Sequence, residues 1–343
     1  MSQIKKDGDP TAVERKRDHI DLTFRSQVAA SSLDTRFYYE PMLAAHPDEN
    51  TILPVPFLKK ILKNPLWVSS MTGGTQQART INQNLARACR DFGMGMGLGS
   101  CRSLLYSDEF LGDFAVRPLM GDHLPLYANL GVAQLEELIE KNETHIIHSL
   151  IDKLHADGLI IHVNPIQEWL QPEGDRFRRP PLQIIETILE KTNCPIIVKE
   201  VGQGFGKESL RALLQLPLAA IDFAAAGGTS FSKLELLRSD ENKQLIFNEL
   251  ANIGHSAAEM VDFTNDLLTE LGDKVQCPDI IVSGGVHSFL DGYYCIQKLR
   301  ANAIYGQASG FLRHAQSDYD TLHRYISSQV EGLKLAYQFL KVK

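Results

Sequence analysis

Four side chains that end in hydrogen-bonding or charged groups crowd the end of one apolar run. In "GLIIHVNPIQEWL" (158–170), Leu159, Ile160, Ile161 and Val163 read as a fully covered strand, and His162, Asn164, Gln167 and Glu168 arrive close behind. A core strand gains nothing from this ending, because burying such groups unpaired is costly. An imidazole, two amides and a carboxylate so placed form a ligand-facing cluster. Lys199 stands at the end of a second such run, "PIIVKEVG" (195–202). Its ammonium would either meet a negatively charged ligand or form an ion pair with Glu200 or Glu168.

Elements with a regular rhythm must hold these groups. Short apolar segments recur: "LWVSSM" (66–71), "GMGMGLG" (93–99), "PLYANLG" (125–131), "GLIIHVN" (158–164), "PIIVKEVG" (195–202), "AAIDFAAAGG" (219–228), "DIIVSGG" (279–285) and "NAIYGQASG" (302–310). Helical spacing lies between them, as in Ile81, Leu85, Ala88 and Phe92. The last stripe is the longest: Tyr319, Leu322, Ile326, Val330, Leu333, Tyr337 and Leu340. Eight strands each followed by a helix predict an α/β fold, a (β/α)8 TIM barrel, because eight right-handed crossovers close a parallel sheet. A doubly wound open sheet is the competitor, but no G-x-G-x-x-G follows the first strand. Polar residues gather where the strands end: Ser70 and Thr72, Ser100, Asn129, His162 to Glu168, Lys199, Thr229, Ser283 to Gly285, and Ser309. In a barrel all eight ends meet on the rim where barrel enzymes work.

Two Gly-rich turns fall after the seventh and eighth strands, in "SGGVHSFLDGYYCIQKL" (283–299) and "YGQASGFL" (305–312). Barrels often hold a phosphate there, through backbone N–H groups and a helix N-terminus. The plainer reading is a tight strand–helix connection. "AAAGGTSF" (224–231) is a third Gly-rich bend, where Thr229 and Ser230 cap the next segment or bond a ligand. Lys199 beside a phosphate-bearing cofactor would suit the N1–O2 edge of a flavin.

Composition bounds the rest. The 343 residues are 43% hydrophobic and 22% charged, with a formal net charge of -7. No basic stripe points to nucleic acid. Five scattered cysteines without a C-x-x-C pair argue against disulfides and a zinc site, and fit a reducing cytoplasm. The N-terminal residues "MSQIKKDGDP" lack the apolar core of a signal peptide, and no run has the ~18 apolar residues of a membrane span. Residues 1–65 read as an irregular N-terminal extension, and 66–343 as one barrel domain.

"ERKRDHI" (14–20), "SSMTGG" (69–74), "GLGSCRS" (97–103), "ANLG" (128–131), "IHVNPIQE" (161–168), "VKEVGQGF" (198–205), "GGTSF" (227–231) and "SGGV" (283–286) occur in one order. In this the chain resembles the type 2 isopentenyl-diphosphate Δ-isomerases, over about residues 14–312. The resemblance implies a (β/α)8 barrel that binds FMN and Mg²⁺. It implies interconversion of isopentenyl and dimethylallyl diphosphate by reduced FMN, with NADPH or NADH as reductant, and assembly as a homotetramer or homo-octamer. By position, Ser70, Met71, Thr72, Ser100, Asn129, Lys199 and Thr229 would touch the flavin. The backbone of Gly285 to His287, with Ala308 and Ser309, would hold its phosphate. Arg15, Lys16 and Arg102 would bind the substrate diphosphate, His162, Asn164 and Gln167 would line the substrate pocket, and Glu168 would ligate Mg²⁺.

Ala224 stands where a serine is common in that family, which removes or replaces one flavin hydrogen bond. His287 stands where Arg or Gln is frequent, and Gly310 replaces a bulkier residue. Moving an allylic double bond requires a proton delivered to one carbon and removed from another. Gln167 is assigned to orient or relay that proton, since an amide is a poor acid. Beside a diphosphate site the "ERKRDHI" run makes a lid; alone it would be a solvated charged face. Two other functions are weighed. An FMN-dependent 2-hydroxy-acid oxidase or dehydrogenase wants a His base with a nearby Arg, but the sixth-strand loop reads "GGTSF". A non-catalytic flavin-binding barrel leaves the rim residues without a purpose.

Overall fold

The computed structural model describes residues 11–343, except 49, 71, 74 and 75. Twelve strands are seen among them: β1 (Phe37–Tyr39), β2 (Val55–Phe57), β3 (Lys60–Leu62), β4 (Leu66–Val68), β5 (Gly95–Gly97), β6 (Leu126–Gly131), β7 (Gly158–His162), β8 (Ile196–Lys199), β9 (Ala220–Asp222), β10 (Asp279–Ser283), β11 (Asn302–Gln307) and β12 (Leu340–Val342). Strands β4 to β11 are the eight read from sequence. They form a closed parallel barrel in chain order, sealed by β11 against β4. The barrel strands are buried from end to end apart from the first residues of β11 and the last of β7.

The glycines of β5 have a packing reason. A Cβ on Gly95 would lie 2.3 Å from the Trp67 indole, and one on Gly97 2.5 Å from Ile160 Cδ1. Glycine here makes room for large side chains inside the barrel, while Met94 and Met96 are fully buried as packing.

The expectation of an irregular 1–65 segment gives way to more structure. A helix spans Ala12–Leu22, and its residues 13–22 are exposed. Strands β2 and β3 form a hairpin, with Leu58 and Lys59 at φ of 50° and 62° in its two-residue turn. That hairpin is tied to the barrel: Leu58 N–H donates to Asp279 Oδ2 at 2.9 Å, and Lys60 Nζ reaches Asp157 Oδ1 at 2.6 Å. The long C-terminal helix, Tyr319–Phe339, buries Leu322, Ile326, Val330 and Leu333. Leu340, read as its last stripe residue, instead begins β12, which pairs antiparallel with β1.

Candidate functional site

Two hollows open on the C-terminal rim. The first has Ser69 and Ser70 on one side and Ala224, Thr229, Gly285, His287, Ala308 and Ser309 around the rest. The second is lined by Ser70, Ser100, Asn129, His162, Gln167 and Lys199. They share Ser70, Lys199, Val201 and Phe231, so they form one elongated basin. Most of the residues assigned to a flavin therefore stand together. Thr72 lies just outside; its carbonyl accepts from Asn82 Nδ2 at 3.0 Å and its backbone packs on Gly99. Met71 lies outside the described residues.

The second hollow is built by side chains that fix one another. Asn129 Nδ2 donates to the Leu98 carbonyl at 2.9 Å, which orients its amide. Its Oδ1 therefore accepts Nδ1–H of His162, at 2.8 Å, leaving Nε2 as an acceptor. Enclosure by the protein, then the nearby Lys199 charge, pushes the His162 pKa down to about 3. The imidazole is neutral at physiological pH. Asn164 Nδ2 donates to Gln167 Oε1 at 3.1 Å and to Glu168 Oε1 at 3.0 Å. Asn164 Oδ1 is buried without a partner.

Glu168 is buried, and its second oxygen accepts the Asp175 N–H at 2.8 Å. It lines a neighbouring groove with Asp175 and Arg176, not the basin itself. Arg102 joins it indirectly, donating to Asp175 Oδ2 at 3.0 Å. No cluster of three or more His, Cys, Asp or Glu suited to a metal occurs among the described residues. Arg15 and Lys16 are exposed on the Ala12–Leu22 helix and line neither hollow.

The two ion pairs weighed for Lys199 are not formed. Its Nζ donates to the Glu200 carbonyl at 2.6 Å. The Glu200 carboxylate is taken by three loop N–H groups, those of Gly202, Gln203 and Gly204, at 2.6 to 3.0 Å. Burial lowers the Lys199 pKa, while Asp222 and Glu200 oppose that shift.

The Gly-rich turns pack as tight connections. A Cβ on Gly284 would sit 2.1 Å from the Ala225 carbonyl, and one on Gly202 2.2 Å from that of Thr229. These glycines let three loops pack backbone on backbone and so raise one wall of the basin. The His287 N–H, expected at a phosphate, instead donates to Asp291 Oδ2 at 3.1 Å. Ala224 holds φ of 41°, and its N–H donates to Ser283 Oγ at 3.0 Å. Beside Gly310, where a Cβ would lie 2.9 Å away, Tyr325 Oη donates to Gln307 Oε1.

Sequence reasoning missed Glu235. It is buried, lies 3.4 Å from Gln167 Nε2, and pairs with Arg238 at 2.7 Å. Its i, i+3 spacing to Arg238 reads as a solvated helix pair. The i, i+4 step back to Phe231, on the basin wall, was the available signal.

No family model matches the chain. Two curated relatives are isopentenyl-diphosphate delta-isomerases, of Rickettsia peacockii (strain Rustic) and Rickettsia prowazekii (strain Madrid E). They are 34% and 33% identical over 327 residues, covering 94% of this chain and 92% of theirs. Among solved structures, a flavocytochrome b2 variant with sulfite bound superposes with a TM-score of 0.58 at 14% identity, covering 88% of this chain and 71% of its own. A mandelate oxidase variant with a monooxide FMN adduct gives 0.55 at 14% identity, covering 90% of this chain and 88% of its own. At such identities these two share the barrel fold.

Proposed function

The chain belongs to the isopentenyl-diphosphate delta-isomerase family, and from that premise we propose that the rim basin interconverts isopentenyl and dimethylallyl diphosphate with FMN and Mg²⁺. The observation that carries this reading is the continuity of the two hollows through Ser70, Lys199, Val201 and Phe231. One arm suits a phosphate-bearing cofactor, and the other gathers the amides and imidazole of a substrate pocket.

The residues fit FMN. The Ser69 and Ser70 hydroxyl oxygens are buried without partners at the basin. Gly285, Ala308 and Ser309 line its far end and would take the phosphate, with His287 supplying its side chain and not its N–H. Ser70, Met71, Thr72, Ser100, Asn129, Lys199 and Thr229 would hold the ring. Reduced FMN, with NADPH as electron source, would supply proton exchange beside the allylic carbons.

A Mg²⁺ on the substrate diphosphate would meet oxygen ligands, which that ion prefers. Glu168, in the groove beside the basin, and the unpartnered Asn164 Oδ1, at the other end of the amide that donates to Glu168, are the oxygens that would supply them. Neutral His162 contributes hydrogen bonding and no charge. The diphosphate must then draw its cations from Arg102 and, with the N-terminal helix closing as a lid, from Arg15 and Lys16. Gln167 is held at both ends of its amide, by Asn164 and Glu235, and so presents a fixed orientation to the reacting carbons. Exposed Tyr39, Met42 and Leu43 offer apolar surface for the homotetramer or homo-octamer that the family resemblance implies. Free cysteines throughout support a cytoplasmic location. No described helix is long and apolar enough to cross a membrane.

The test is to incubate purified protein with isopentenyl diphosphate, Mg²⁺, FMN and NADPH. Dimethylallyl diphosphate is the expected product, and its absence would sink the proposal. Glu168→Gln should lose most activity and raise the Mg²⁺ concentration needed for half-maximal rate. Full activity with unchanged Mg²⁺ dependence would remove the role given to Glu168.

A further inference from the structure

Among the buried acids of the barrel strands, Asp222 has no part in the proposed chemistry. Asp222 ends β9, has 0% exposure, and stands in register with Lys199 at the end of β8. Paired residues on neighbouring strands point to the same side of a sheet. Asp222 Oδ1 accepts a hydrogen bond from the Ser283 hydroxyl, and Oδ2 is buried with no hydrogen-bond partner. Ser283 Oγ also accepts the Ala224 N–H at 3.0 Å, so its single proton is directed at the carboxylate. A carboxylate oxygen left bare in the interior is costly unless a cation stands near.

The available cation is Lys199. Burial pushes the two groups toward neutrality, and each opposes that for the other: Lys199 draws the Asp222 pKa down, and Asp222 draws the Lys199 pKa up. Of the other groups facing the ammonium, Glu200 adds a weaker pull in the same direction as Asp222. His162, paired with Lys199 from β7, is neutral. Glu200, next along the chain, spends its carboxylate on three loop N–H groups. We propose that Asp222 is a positioning residue that keeps Lys199 protonated in the basin, where the ammonium offsets negative charge on a reduced flavin. The inference rests on reading the basin as a flavin site.

The test compares wild type with Asp222→Asn, as FMN-loaded protein, between pH 6 and 9. Affinities for oxidised and reduced FMN and the two-electron midpoint potential are read together. In D222N the preference for reduced FMN falls about tenfold or more, a midpoint lower by about 30 mV. The potential also gains an inflection where Lys199 loses its proton. Lys199→Met gives the same fall, and adding D222N to it gives no more. A midpoint that rises overturns the proposal, because removing a negative charge beside a lysine that stays protonated has that sign. An unchanged midpoint overturns it too. Should D222N fail to fold, Ser283→Ala withdraws the hydrogen bond from the carboxylate; a smaller fall of the same sign is expected, and none would overturn the role. If wild type binds no FMN, the reading of the basin falls and this role with it. If FMN binds and only the D222N effect is missing, the role alone falls.

Discussion

His162 is held neutral by its enclosure and by the Lys199 charge, with a pKa near 3. The unfolded chain would protonate it near ~6.5. Between those values the unfolded state binds the extra proton, so this residue lowers stability as pH falls through that window. His162→Gln should therefore lose less stability than wild type between pH 7 and pH 4, measured by denaturant midpoints at each pH. A slope identical to wild type would count against a depressed pKa. Gln167 makes a different kind of prediction. Its amide is anchored by Asn164 and Glu235, so Gln167→Ala should lower kcat roughly 10- to 100-fold, a loss typical of misplaced reacting groups, with less change in KM. At this scale the sequence showed that His162, Asn164, Gln167, Glu168 and Lys199 were oddly placed for a core. It did not show their partners. Lys199 pairs with neither Glu200 nor Glu168, because backbone N–H groups after Val201 take the first carboxylate and Asn164 with the Asp175 N–H takes the second. Those loop conformations are not written in the local sequence.

The strands were legible because fully buried parallel strands are nearly continuous apolar runs. Even Gly/Met-rich β5 fell where expected, though its reason was not visible: the volume that Gly95 and Gly97 give up is filled by Trp67 and Ile160, from other strands. Gly97→Ala should accordingly cost about 1–3 kcal/mol through overpacking. Its Cβ would also stand 2.9 Å from Ser70 Oγ. Denaturant unfolding checks the first effect, and weaker FMN binding the second; a neutral substitution would mean that β5 can shift. The β2–β3 hairpin was not legible. Its turn places Leu58 and Lys59 at positive φ without the Asn or Gly that usually marks such turns, so "VPFLKKIL" carries no local signal of reversal. The contacts that hold it come from Asp157 and Asp279, about a hundred and two hundred residues away.

For the molecule as a whole, eight strands and their helices sufficed to read the closed barrel, because closure follows from strand number and crossover hand. What joins the extension to that barrel could not be read. Three residues of β1 and three of β12 are too short to announce themselves, and their pairing spans nearly the whole chain. That clasp has a consequence for the basic arm that carries Arg15 and Lys16. About fifteen residues separate the end of its helix at Leu22 from the clasp at Phe37, a leash of at most ~50 Å when fully extended. Fixing the leash at one end sets the local concentration of those cations above the rim, as any tether does. Removing residues 340–343 would free the anchor while leaving the basin intact. KM for isopentenyl diphosphate should then rise roughly threefold, as the tether lengthens about twofold to the next anchor at β2, with kcat nearly unchanged, in steady-state assays. An unaltered KM would mean that the arm reaches its substrate without being leashed there.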